Sequence, residues 1–203
     1  MQTRQGERKT TRAGFDEAPG RAPRGPASRF FVALRPDPAA AERLEQLAAR
    51  LAQACRGKAL AAPDLHLTLA FIGERPAGQA EALAALLAGF PESLAGFPLE
   101  VLGRFGPSLL WAGPSGRQGQ VEALASSLRE RLDAAGVEFD RCALHPHLTL
   151  VRNARDREAA RTAVGPAPDI VSVERWQLAL GGTHEAPTPQ QRYRWHRPVV
   201  INP

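Results

Sequence analysis

Cysteine is nearly absent. Cys55 and Cys142 are the only two among 203 residues, and neither belongs to a CxxC pair. That excludes a disulfide framework and suits a reducing, cytoplasmic compartment. Lysine is equally scarce: only Lys9 and Lys58 occur, so 24 of the 26 basic residues are arginine. No apolar run approaches the roughly 20 residues that a membrane span needs. The basic residues Arg4, Arg8, Lys9 and Arg12 precede no greasy stretch of the signal-peptide kind. The expectation is a cytoplasmic protein with no membrane partner. What is present is positive charge, +5 in all. Guanidinium groups bind phosphate in pairs of hydrogen bonds and stack on bases, so this balance fits RNA or a nucleotide. Abundant Ala, Arg, Gly and Pro also fit a compositional bias with no such meaning.

At 43% apolar and 23% charged residues, the chain can build one substantial core or two small lobes. Residues 1–28 hold few large apolar side chains, which predicts a disordered basic tail before a single domain over 29–203. Arg29–Leu34 reads as a buried strand. Asp37 and Pro38 form an N-cap and first helical position. Leu44, Leu47, Leu51 and Cys55 then repeat at helical spacing up to Gly57. A strand through His66–Leu69 is expected to end at Gly73, with a helix over 77–89 after it. Strands near 98–102 and 108–111 follow. A helix over 118–135 sets Val121, Leu124, Leu128 and Leu132 on one side, and a short strand over 137–141 comes next. A helix near 154–164, strands at 170–180 and 193–201, and a loop over 181–191 complete the pattern.

One tetrapeptide occurs twice: His66-Leu67-Thr68-Leu69 and His147-Leu148-Thr149-Leu150. Side chains two apart on a strand share a face. Each copy therefore sets an imidazole beside a hydroxyl and sends its leucines into the core. Strand, helix and His-x-Thr strand recur, which points to internal duplication. The expected fold is α+β and bilobal, with antiparallel-rich sheets flanking a central cleft and helices on the outer faces. The leucine faces need a core and the histidine faces need a cleft.

Two imidazoles on opposite sides of a phosphorus suit in-line displacement. One takes a proton from the attacking water and the other gives one to the departing alkoxide. The Thr68 and Thr149 hydroxyls can hold the non-bridging oxygens. This scheme calls for no metal and no cofactor, and a strained 2′,3′-cyclic phosphate fits it. Two other arrangements compete. Each histidine could be a core residue satisfied by backbone, or His66, His145 and His147 could ligate zinc. Pro146 disturbs the second arrangement, and the first motif has no counterpart to His145. His184 and His196 are expected at the surface, and Arg192–Trp195 could stack a base. Arg152, five residues after His147, falls off the His/Thr face of an ideal strand, although twist or the strand end could return it to the phosphate. Phe71, at the same offset from His66, alternates into the core.

These stretches resemble the two-histidine (2H) phosphoesterase superfamily, and within it the RNA 2′,3′-cyclic phosphodiesterases, also called 2′-5′ RNA ligase-like proteins. RFFVAL (29–34), HLTLAFIGE (66–74), LLWAG (109–113) and HPHLTLVR (145–152) carry the likeness. It implies a bilobal α+β fold and hydrolysis of a 2′,3′-cyclic RNA end to a 2′-phosphomonoester. It further implies His66 as proton donor, His147 as proton acceptor, and Thr68, Thr149 and Arg152 as phosphate binders. Spacing alone does not separate acid from base. The family's usual Leu-Tyr/Phe-x-Ser turn is replaced by Leu178-Ala179-Leu180-Gly181-Gly182-Thr183 before a Pro-rich loop, which bears on base and length preference. Ligation of a cyclic end in the same cleft, action on a small cyclic nucleotide, and non-catalytic RNA binding are the competing functions. A monomer is expected.

Overall fold

The structure, a computed structural model, describes residues 26–183 and 191–196. Most of the expected tail, His184, and the segments 184–190 and 197–203 lie outside the described residues. The chain runs β1 (Ala27–Pro36), α1 (Pro38–Ala54), β2 (Lys58–Ala59), β3 (Leu67–Pro76), α2 (Ala80–Ala85), β4 (Ser93–Ala95), β5 (Pro98–Phe105), β6 (Leu109–Gly113), α3 (Gly119–Ala134), β7 (Leu148–Arg152), α4 (Arg157–Thr162), β8 (Gly165–Ser172), β9 (Arg175–Gly182) and β10 (Arg194–His196). None of the described helices is long and apolar enough to cross a membrane.

Pairing is antiparallel, in the order β10-β9-β1-β3-β7-β6-β5-β8. Taken from its middle the order is two-fold: β3 answers β7, β1 answers β6, and β9 answers β5. The duplicated halves are thus two arms of one sheet. They meet at a single Cα pair, Leu67↔Leu148, beyond which β2 takes over the edge of β7. This is where the cleft opens.

The helices cross between the arms. Helix α1 leaves the β1 arm and packs on β7, β8 and α4, whereas α3 leaves the β6 arm and packs on β3. Both therefore cover the same side of the sheet and share one core, in which Leu44, Leu47, Leu128 and Leu132 meet Leu67, Leu69, Leu148 and Leu150. Burying each such leucine contributes about 2 kcal/mol, and the exchange ties one arm to the other. Asp37 makes a second tie. One carboxylate oxygen accepts the N–H of Ala40 at 2.9 Å as the cap of α1, and the other accepts that of Glu174 at 2.9 Å, in the turn between β8 and β9.

Several boundaries differ from the sequence reading. Strand β1 begins at Ala27, inside the segment expected to be a tail. Strand β3 does not end at Gly73. Gly73 adopts φ +86° at a register shift, Phe30↔Gly73 then Phe31↔Phe71, so it marks a bulge inside a longer strand. The helix expected over 77–89 is a 3₁₀ turn at Ala77–Gln79 followed by the short α2, which has no side-chain cap. Residues 137–141 form no strand: the N–H of Asp140 reaches the Phe71 carbonyl at 2.8 Å, but no ladder follows. Helix α4 starts later than expected because Asp156 caps it through the N–H of Ala159. The run 170–180 is broken at Val173–Glu174, where Asp37 holds the turn.

Candidate active site

The one Cα pair joining the arms, Leu67↔Leu148, lies between His66 and Thr68 on one strand and between His147 and Thr149 on the other. All four side chains therefore sit within one residue of the seam. The antiparallel sense sets His66 toward Thr149 and Thr68 toward His147. Leu67, Leu69, Leu148 and Leu150 are buried on the helix side, as alternation requires. His66 Nδ1 is 2.6 Å from the carbonyl of Asp64, and His147 Nδ1 is 2.7 Å from that of His145, in each case two residues back. A carbonyl only accepts, so Nδ1 carries the proton and Nε2 is left for a ligand. Among the described residues neither Nε2 nor either threonine hydroxyl has a hydrogen-bond partner.

Aromatic rings back each imidazole. Phe31 stacks on His66 at 4.7 Å, and Tyr193 and Trp195 meet that ring edge-on at 5.1 and 5.4 Å. Phe105 meets His147 at 4.7 Å and Trp111 lies 6.1 Å from it. Phe31 lies over Gly181 and Trp111 over Gly103, where an added Cβ would stand 2.4 and 2.1 Å from the rings. Gly181 and Gly103 occupy equivalent strands of the two arms, so the same packing device occurs twice. The Gly181-Gly182 departure from the family turn thus makes room for Phe31. Two rings of the Arg192–Trp195 cluster, Tyr193 and Trp195, wall in His66. Tyr193 is buried, and Trp195 Nε1 donates to the Pro63 carbonyl at 2.8 Å. His196, expected at the surface, is half-buried in β10.

Both motif strands carry an extra residue immediately after the threonine. The register passes from Ala33↔Thr68 to Val32↔Ala70 and from Trp111↔Thr149 to Leu110↔Val151, leaving Leu69 and Leu150 unmatched. Each bulge reverses the alternation beyond it. Arg152, odd in spacing, therefore returns to the cleft face through the bulge, and its charge acts on both histidines. Its side chain has no carboxylate partner among the described residues, and its Nε is buried without a hydrogen bond. Phe71 corrects the sequence reading outright. It is 43% exposed and lines a cleft cavity of about 340 Å³. Phe71 and Arg152 are the equivalent residues of the two arms.

Burial is the main cause that lowers His66 to about 4 from the ordinary 6.5; the charges of Arg152, His147 and Arg35 add to it, and the bond to the Asp64 carbonyl opposes it. His147 is lowered as well, mainly by burial, with His145 and Arg152 adding. At neutral pH both imidazoles are thus held neutral beside the Arg152 guanidinium, whose charge a phosphate anion would balance.

Sequence reasoning missed Asp64 and Arg35. The Asp64 carboxylate is buried and accepts the N–H groups of Arg192 at 2.9 Å and Tyr193 at 3.3 Å, fastening the wall of His66 to the turn that presents it. Arg35 lies over Trp195 at 4.8 Å. Both act across long sequence separations that no local pattern marks. The three-histidine zinc arrangement is not assembled: His145 packs on Trp111 and Phe105, while His66 packs on Phe31, Tyr193 and Trp195.

A family model described as the 2′-5′ RNA ligase superfamily matches residues 35–178, most of the chain. The chain belongs to that superfamily. It is 33% identical over 101 residues to the RNA 2′,3′-cyclic phosphodiesterase of Escherichia coli (strain K12), a match covering 49% of this chain and 57% of that protein. It is 32% identical over 95 residues to the protein of the same name from Geobacillus stearothermophilus, covering 44% of this chain and 30% of that one. These matches thus span a little over half of one relative and under a third of the other. Among solved structures, E. coli LigT complexed with 3′-AMP superimposes with a TM-score of 0.63 at 26% identity, covering 85% of this chain and 95% of that one. The superfamily member described here thus shares the α+β architecture of LigT.

Proposed function

We propose that this protein hydrolyses 2′,3′-cyclic phosphodiester ends of RNA to 2′-phosphomonoesters, without a metal ion. The observation that carries the proposal is the convergence at one seam of the sheet of two Nδ1-anchored imidazoles and two threonine hydroxyls that have no hydrogen-bond partner among the described residues, with Arg152 near enough for its charge to act on both histidines. This is unfilled donor capacity matched to a phosphoryl group. The names of the E. coli and Geobacillus relatives support the same reading.

In this reading, Thr68, Thr149 and Arg152 hold the non-bridging oxygens. His147 Nε2 takes a proton from water as its oxygen bonds to phosphorus. The bond from phosphorus to O3′ breaks, and His66 Nε2–H delivers its proton to that oxygen. The 2′ ester bond remains. Transfer of a proton from His147 to solvent and from solvent to His66 resets the pair. His66 must bind its proton before it can donate it, and the substrate's negative charge between Arg152 and the imidazoles favours that.

The test is incubation of an RNA with a 2′,3′-cyclic end in excess EDTA. The expected product is the 2′-phosphomonoester. Exclusive formation of the 3′-phosphomonoester, or turnover abolished by EDTA and restored by a divalent metal, would overturn the scheme.

A further inference from the structure

The cavity in the cleft does not end at the histidines. From Thr68 and His147 it runs along Leu69–Phe71 to Arg129, Asp140 and Cys142. Its volume, about 340 Å³, lies at the lower end of ligand-sized cavities, roughly 300–1,000 Å³. Phe71 and Phe105, 43% and 42% exposed, are two of the four large apolar side chains left open among the described residues, and both line it. An aromatic ring open on one face suits a flat, aromatic ligand.

The charged end of this cavity is built on the Phe71 strand itself. Beyond the bulge β3 has parted from β7, and two of its carbonyls are met from outside the sheet. Arg129 Nη2 donates to Leu69 O at 3.3 Å, and the Asp140 N–H donates to Phe71 O at 2.8 Å. These bonds tie the Arg129 side chain and the Asp140 backbone to the Phe71 strand, and Arg129, Asp140 and Phe71 all line the cavity. Arg129 and Asp140 do not form an ion pair, since no contact between them lies within 4.0 Å. Asp140 Oδ1 accepts the Cys142 N–H at 2.9 Å, which orients the carboxylate. Hydrogen bonding from Cys142 keeps the Asp140 carboxyl below its ordinary range, so it is an anion at neutral pH.

We propose that Arg129 and Asp140 read the edge of a guanine stacked on Phe71, which makes this cavity a guanosine subsite. The inference rests on the function proposed above. Guanine alone presents two adjacent donors, N1–H and N2–H₂, beside an acceptor, O6. A carboxylate accepts the pair, and a guanidinium donates to the acceptor. Adenine and cytosine set a ring-nitrogen lone pair where the carboxylate needs a donor, and uracil flanks its single N–H with two carbonyls. An anionic phosphate is disfavoured here because the Asp140 charge faces it.

The experiment compares kcat/KM for the four nucleoside 2′,3′-cyclic phosphates, with the full chain and with Asp140→Asn. The asparagine keeps an acceptor for the Cys142 N–H. The expected result is a guanosine preference of about 10-fold, reduced by Asp140→Asn to within about 2-fold while the other three substrates are unchanged. Equal rates on all four bases, or a guanosine preference that survives the substitution, would overturn the proposal. If no cyclic phosphate is opened at all, the hydrolase reading fails. Calorimetric affinities for 2′-GMP, 2′-AMP, 2′-CMP and 2′-UMP then decide the base reading alone: a guanine preference of about 10-fold supports it and equal affinities overturn it.

Discussion

Acid should destabilise this protein through one identifiable ring. His66 is 9% exposed and its pKa is depressed from 6.5 to about 4. A group whose folded-state pKa lies below its unfolded value binds fewer protons in the fold. Its stabilising contribution is present in full above pH 6.5 and is lost as pH falls through 4. At about 1.4 kcal/mol per pH unit between the two values, the loss attributable to His66 is about 2 kcal/mol at pH 5 and about 3 kcal/mol at pH 4. The assay is urea unfolding at pH 7, 5 and 4 in phosphate-free buffer, for the natural chain and for His66→Asn. The buried Asp64 carboxyl, raised mainly by desolvation, contributes with the opposite slope, and the comparison of the two chains removes it. The natural chain should lose the stated difference relative to the variant. Identical pH slopes for the two chains would refute the claim that His66 is desolvated and neutral in the folded protein.

Two further outcomes follow from the same geometry. Because both free-enzyme imidazoles are lowered, the singly protonated pair is most populated below pH 6.5. The kcat/KM bell should therefore be centred there, with the kcat bell at higher pH once a phosphate anion is bound; a kcat/KM optimum above pH 7 would contradict this. Asp64→Ala should strand the N–H groups of Arg192 and Tyr193, cost about 1–3 kcal/mol in unfolding free energy, and lower kcat/KM by releasing the wall behind His66. Unchanged stability by urea unfolding would show that the wall is held some other way.

The two His-x-Thr strands and the core leucines were legible because alternation and helical spacing are local properties. Phe71 and Arg152 were not placed by the same rule, since the bulges at Leu69 and Leu150 come from pairing with β1 and β6 and carry no mark in the motif strands. Asp64 and Gly181 escaped for a related reason. One binds backbone 128 residues away, and the other is needed only because a phenylalanine from the neighbouring strand lies across it. The exchange of α1 and α3 between the arms was equally invisible, because an amphipathic helix records that it has an apolar face and not which sheet covers it.

The central claim is that two imidazoles act as one unit on one phosphorus atom. Single-turnover rates for His66→Asn, His147→Asn and the double variant, on an RNA with a 2′,3′-cyclic end, test it most directly. Each single change should reduce the rate by at least about 100-fold, with the double variant within about 10-fold of the slower single one. A single variant that keeps a tenth or more of the natural rate would contradict the account, and so would losses that multiply in the double variant.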